Sequence, residues 1–158
     1  MEETKKKFMK EAIRMAIENV KSGHGGPFGA IVVKDGHIIG KGVNSVTANN
    51  DPSAHAEIVA IREACKNLNS FQLIDCEIYS SCEPCPMCLG AIYWARPSKV
   101  YYAASRHDAA DAGFDDSFIY EEIKKEKLER KIQFIPLNLE ESKEVFELWK
   151  LSINKIEY

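Results

Sequence analysis

Apolar residues recur at helical spacing near the N-terminus, where Phe8, Ala12, Met15, Ala16 and Ile17 fall near one face of residues 3–21. This predicts an amphipathic helix ending by Gly23. From Phe28 the pattern shortens to apolar runs, residues 28–33 and 37–40, around Asp35-Gly36. That dipeptide signals a hairpin. A polar loop covers residues 44–53. Asp51-Pro52-Ser53 predicts a helix start, because Asp or Ser can cap free N–H groups and Pro suits the first turn; the helix carries Ile58, Val59, Ile61 and Ala64. A third strand, residues 77–81, runs into a cluster of cysteines. Pro86 opens a helix through Met87, Leu89, Ala91, Ile92 and Trp94, stopping before Pro97. Residues 99–103 form a fourth strand, 117–127 a helix, 132–137 a fifth strand and 140–153 a final helix.

Strands alternating with helices predict an α/β domain with a mixed five-stranded sheet. Its opening hairpin is antiparallel, and the helix between the fourth and fifth strands allows a parallel crossover. The 158 residues are enough for one domain with a proper core, and neither repeats nor linkers divide them. No apolar run approaches the roughly 20 residues that span a bilayer. Residues 1–8 lack the apolar stretch of a secretory signal, so a cytoplasmic location is expected. The formal net charge of −3 offers no overall basic footprint for a nucleic-acid backbone and favours a small, neutral substrate.

Five cysteines, an odd number, do not make a disulfide framework in such a chain. Cys65 and Cys76 are expected as small buried hydrophobes. The other three crowd into Cys82-Glu83-Pro84-Cys85-Pro86-Met87-Cys88, at the start of a helix. His55-Ala56-Glu57 stands in the first turn of another. One imidazole and two thiolates fill three positions of a tetrahedral zinc site and leave the fourth open, as catalytic zinc requires. Helix starts also favour the thiolate form. Glu57, two positions from His55, can reach the reacting water without ligating the metal. Zinc lowers the pKa of a bound water from 15.7 to about 7, and a carboxylate can then carry its proton to a ring nitrogen. Two rivals are a closed structural site using Cys82, Cys85, Cys88 and His55, which leaves Glu57 idle, and redox chemistry at Cys85 and Cys88. The H-x-E…P-C-x-x-C arrangement is the signature of zinc nucleobase deaminases.

Longer stretches carry a fuller resemblance: Gly25-Gly26-Pro27-Phe28-Gly29-Ala30, Asn49 and Asp51-Pro52 with Ala54-His55-Ala56-Glu57, and the run from Ser81 to Arg96. Ala112-Gly113-Phe114-Asp115-Asp116-Ser117-Phe118-Ile119-Tyr120 and the terminal Glu157-Tyr158 add to it. Over essentially its whole length the chain resembles the cytidine deaminase superfamily and, within it, the bacterial guanine deaminases. The resemblance implies a three-layer α/β/α cytidine deaminase-like fold and one zinc ion per chain, held by His55, Cys85 and Cys88. It implies hydrolysis of guanine to xanthine and ammonia, with Glu57 as proton shuttle. Asp116 matches a carboxylate near the amine and ring N–H groups, and Asn44 an amide that bonds the ring. Phe28 matches a ring packed on the base, with core packing as its plainer alternative. The backbone N–H groups of Ala56 and Cys85 are candidates to stabilise negative charge. In this family the C-terminal segment, here about residues 140–158, is exchanged between two subunits and covers the partner's site. That implies a homodimer in which Tyr158 meets the base, built on a single deaminase domain, residues 1–158. Two other readings stay open: a tRNA adenosine deaminase, and a zinc-stabilised interaction module.

Overall fold

The computed structural model describes residues 2–158, with Met1 outside them. It begins with helix α1 (Glu2–Lys21), followed by the hairpin of β1 (Gly29–Lys34) and β2 (His37–Val43). The turn places Asp35 and Gly36 both at positive φ, as a two-residue hairpin turn demands. A short helix α2 (Val46–Asn49) and a turn then lead to α3 (Ala56–Leu68). Helix α3 therefore starts later than the Asp51-Pro52-Ser53 signal predicts. Asp51 instead closes the turn, accepting hydrogen bonds from the backbone N–H and the hydroxyl of Ser53, and His55 takes the N-cap position. Strand β3 (Glu77–Cys82), helix α4 (Pro86–Ala95), strand β4 (Lys99–Ala104) and helix α5 (Arg106–Asp111) follow. The last elements are α6 (Ser117–Lys124) and α7 (Glu141–Leu151).

The mixed sheet has four strands in the order β2-β1-β3-β4. β1 is antiparallel to both its neighbours, and β3 is parallel to β4. The expected fifth strand at 132–137 does not form. Pro136 lacks an N–H for a ladder, and residues 117–158 contain no other strand to pair with.

Residues alternate between the two faces of β1. Ile31 and Val33 pack with Tyr79 beneath Phe8, Met9 and Met15 of α1. Ala30 and Val32 pack on the other face with Ala56, Ala60 and Ala64 of α3 and Ile92 and Ala95 of α4. The sheet is thus a middle layer between helices, with apolar residues toward both faces. Cys76 is buried in this second cluster; Cys65 is only half-buried at its margin, a correction to its expected full burial.

The chain divides into two compact units, one ending at Asp116 and one of residues 117–158. The sheet, both apolar clusters and helices α1–α5 belong to the first. The second holds α6 and α7, and among the described residues none of it is buried. Among the described residues no helix is long and apolar enough to cross a membrane.

Candidate metal and substrate site

Glycine brings α3 onto the sheet. A Cβ at Gly42 would collide with the carbonyl oxygen of Ala56, and one at Gly40 with that of Ala60, so the α3 backbone lies directly on β2. This close approach fixes where His55-Ala56-Glu57 emerges. His55 caps α3 in an extended conformation, and its side chain makes no capping hydrogen bond. Cys85 does the same for α4, with Pro86 in the first turn where a missing N–H costs nothing. Two helix starts thus present an imidazole and a thiol.

The chain brings His55, Cys85 and Cys88 together, with their candidate ligand atoms all within 4.8 Å of one another. Nδ1 of His55 lies 3.4 Å from Cys85 Sγ and 3.6 Å from Cys88 Sγ. A tetrahedral zinc with ordinary Zn–N and Zn–S lengths separates such ligand atoms by about 3.6 Å. The donor set and its spacing fit zinc. Cys82 is outside this cluster; its buried thiol donates to the Ser105 carbonyl oxygen, and burial pushes its pKa up to about 11. The Cys85 thiol is held down at about 4, chiefly by a hydrogen bond from Cys88 and further by His55. The same contact with Cys85 raises the His55 pKa.

Glu57 is buried on α3, 6% exposed, with Oε1 accepting a 3.0 Å hydrogen bond from the Ser80 hydroxyl of β3. Its Oε2 is 3.4 Å from Cys88 Sγ, so the carboxyl lies beside the ligand cluster. Burial raises its pKa. A buried carboxyl that resists ionising is the kind of group that takes up and returns a proton. Nothing in the sequence sets Ser80 apart, since it is one of two adjacent serines in Glu77-Ile78-Tyr79-Ser80-Ser81-Cys82.

The other candidates vary in placement. Ala56 is fully buried as the first residue of α3. Asn44 is buried just after β2, and its backbone N–H donates to the Phe28 carbonyl. The half-buried Phe28 ring meets Phe114 edge-on at 5.0 Å and also packs against the α3 and α4 side of the core. Both rings line a groove of about 580 Å³ with Ile13, Ile17, Val20 and Cys82. Asp116 is half-buried; desolvation raises its pKa and the charge of Cys85 adds to the shift, which relates it electrically to the cluster. Tyr158 belongs to the 117–158 unit and is 69% exposed.

Residues 2–104 match the family described as the cytidine and deoxycytidylate deaminase zinc-binding region. The chain is 60% identical over 151 residues to a guanine deaminase of Bacillus subtilis (strain 168), covering 96% of this chain and 97% of that one. An X-ray structure of guanine deaminase from Bacillus subtilis superposes with a TM-score of 0.95 at 59% identity, covering 97% of this chain and 98% of that one. A tRNA-specific adenosine deaminase of Aquifex aeolicus (strain VF5) is 47% identical over 100 residues, 63% of this chain and 66% of that one. With that family's model matching residues 2–104, most of the chain, the chain belongs to the cytidine and deoxycytidylate deaminase family that carries this zinc-binding region.

Proposed function

We propose that this chain hydrolyses guanine to xanthine and ammonia at a site holding one zinc ion on His55, Cys85 and Cys88. The observation that carries the reading is the buried Glu57 carboxyl set beside a three-ligand cluster. The choice of guanine is supported by an identity of 60% that runs through 96% of the chain, against 63% coverage for the adenosine deaminase. A zinc ion there would supply acidity, bringing the pKa of a water near 7.

Glu57 takes the proton of the attacking water and delivers it to the ring nitrogen beside the reacting carbon. The water oxygen bonds to that carbon. The hydroxyl so formed gives up its remaining proton as the C=O forms; that proton passes through a neighbouring carboxylate to the amine, the C–N bond breaks and the amine leaves as ammonia. Ser80 holds one carboxyl oxygen of Glu57 in place throughout. Asp116 accepts from the amine and a ring N–H, and its raised pKa suits it to pass a proton to the leaving group. Phe28, braced by Phe114, stacks on the purine, and Asn44 binds the ring edge. The backbone N–H of Ala56 offsets negative charge on the attacked ring.

Residues 1–158 act as one deaminase domain that works as a homodimer, with the segment of about 140–158 exchanged between subunits. Support comes from α7, whose Val145, Phe146, Leu148, Trp149 and Leu151 are all exposed, since an apolar face of that extent calls for a cover. Tyr158 of each chain then meets the base in the partner's site. A cytoplasmic location agrees with five free cysteines.

The test is ammonia release from guanine, guanosine, cytosine, adenine and a tRNA anticodon stem-loop, with zinc content measured on the same sample. Guanine should be turned over far faster than the rest. A preference for cytosine or for the stem-loop would overturn the assignment.

A further inference from the structure

Asn19 is an anomaly on α1. It stands three residues after Ala16 and seven after Ala12, on the buried stripe of the helix, and is itself only 5% exposed. A polar amide at such a position costs free energy unless its groups are paired. Both partners of its Nδ2 lie outside the helix: the Gly26 carbonyl at 2.8 Å and the Asn44 carbonyl at 2.9 Å. One side chain thus ties α1 to the glycine loop before Phe28 and to the residue that follows β2. Gly25 is pressed so closely on Asn44 that a Cβ there would collide with its carbonyl oxygen. At Gly26 a Cβ would stand 3.4 Å from both the Asn44 amide carbon and the Phe28 ring, so these two groups converge over that glycine.

The tie has a consequence for the Asn44 side chain. Its Oδ1 faces two backbone N–H groups, those of Gly26 and Val46, each at 3.4 Å. Two donors assign that end of the amide as the oxygen. Among the described residues its Nδ2 meets no acceptor. The amide is held with its acceptor end engaged by the protein and its donor end available.

We infer that Asn19 is a positioning residue for substrate binding: it clamps the Gly26 and Asn44 carbonyls, and thereby makes Asn44 a donor toward the base. Asn44 then reads an acceptor, a carbonyl oxygen or an unprotonated ring nitrogen. The inference rests on the reading of Asn44 as a base-binding residue.

The experiment is a double-mutant cycle on the zinc-loaded enzyme, using Asn19→Ala, Asn44→Ala and the pair, with kcat, KM for guanine and zinc content measured for each. Asn19→Ala should raise KM about tenfold, leave kcat within about threefold and keep its zinc. In the Asn44→Ala background it should add almost nothing, because it acts through that residue. Asn19→Ser, which keeps one hydroxyl donor, should recover part of the loss and serves in place of the alanine variant if that one does not fold. An unchanged KM in a folded Asn19 variant, or a penalty that persists undiminished without Asn44, would overturn the positioning role alone. If Asn44→Ala itself leaves KM unchanged, the reading of Asn44 fails and the inference falls with it. Loss of folding in both Asn19 variants, with Asn44→Ala still folded, would mean that Asn19 is a purely structural tie.

Discussion

The two units of this chain are built on opposite principles. Up to Asp116, apolar side chains are consumed on both faces of a sheet, and interactions join distant segments, such as Lys41 of β2 with Glu11 of α1. In residues 117–158 the ion pairs Lys124–Glu121, Lys125–Glu122 and Lys150–Glu147 join residues three apart, and the aromatic and aliphatic side chains of α7 stay exposed. Both units have amphipathic helices, so hydrophobic content does not separate them. What separates them is whether a complementary surface exists within the unit. The first carries its own core, and with it the metal cluster; the second has the composition of a folded element without the burial of one.

The largest effect should come from the metal cluster. Cys85→Ala should abolish zinc binding and reduce activity below detection, whereas Cys82→Ala should keep a full zinc complement. Metal analysis beside an ammonia assay reads both, and loss of zinc from Cys82→Ala would bring back the closed structural site. Next is the second unit: truncation after Asn154 should leave zinc content unchanged while cutting activity by roughly ten- to hundredfold. Full activity after that truncation would remove Tyr158 from any part in the site.

Stability sharpens the contrast. Ile78→Ala, at a fully buried core position, should cost about 2–5 kcal/mol in denaturant unfolding. Phe146→Ala should cost less than about 0.5 kcal/mol in dilute protein. Its cost should grow with protein concentration if α7 is covered in a dimer. A large, concentration-independent cost would show that α7 packs within its own chain.

The smallest effect concerns acid. Arg14, and then Lys41, hold the Glu11 carboxyl at a pKa of about 2, well below its ordinary 4.5. The carboxylate therefore stabilises the folded protein fully above pH 4.5, and this contribution is lost as pH falls from 4.5 toward 2. Because the pair is partly solvated, the gain is under about 1 kcal/mol and shrinks with salt. Glu11→Gln should flatten the decline of Tm between pH 5 and pH 3; an unchanged decline would assign the acid sensitivity to other carboxyls.

Local signals in the sequence carried much of the fold. The Asp35-Gly36 turn, the α1 helix and the Pro86 helix start all express short-range preferences, and all three hold, although Ile17 of the expected α1 stripe is 49% exposed and Asn19 is buried instead. The ligand set was legible for the same reason, since its chemistry is written in residue type and spacing. A strand, by contrast, exists only with a partner, so the apolar run at 132–137 could not announce that none would be there. The start of α3 also shifted, because Asp51 serves a turn before it can serve a helix. Asn19 and Ser80 act across 25 and 23 residues of sequence respectively. Asn19 left one trace, a polar residue on an apolar helical stripe, which shows that something is bonded without showing what; Ser80, one of two adjacent serines, left none.

The strand order also sets a clock. His55 and Cys85 stand 30 positions apart, and the chain between them contributes β3, which lies between β1 and β4. The three ligands cannot meet until that strand has docked and the loop has closed, and loop closure is an entropic cost met before any metal can reward it. During refolding, metal capture should therefore lag behind formation of α1 and the β1–β2 hairpin, whose contacts are local. Once captured, the ion would bind only the closed arrangement, and its binding free energy would slow the opening of the central sheet.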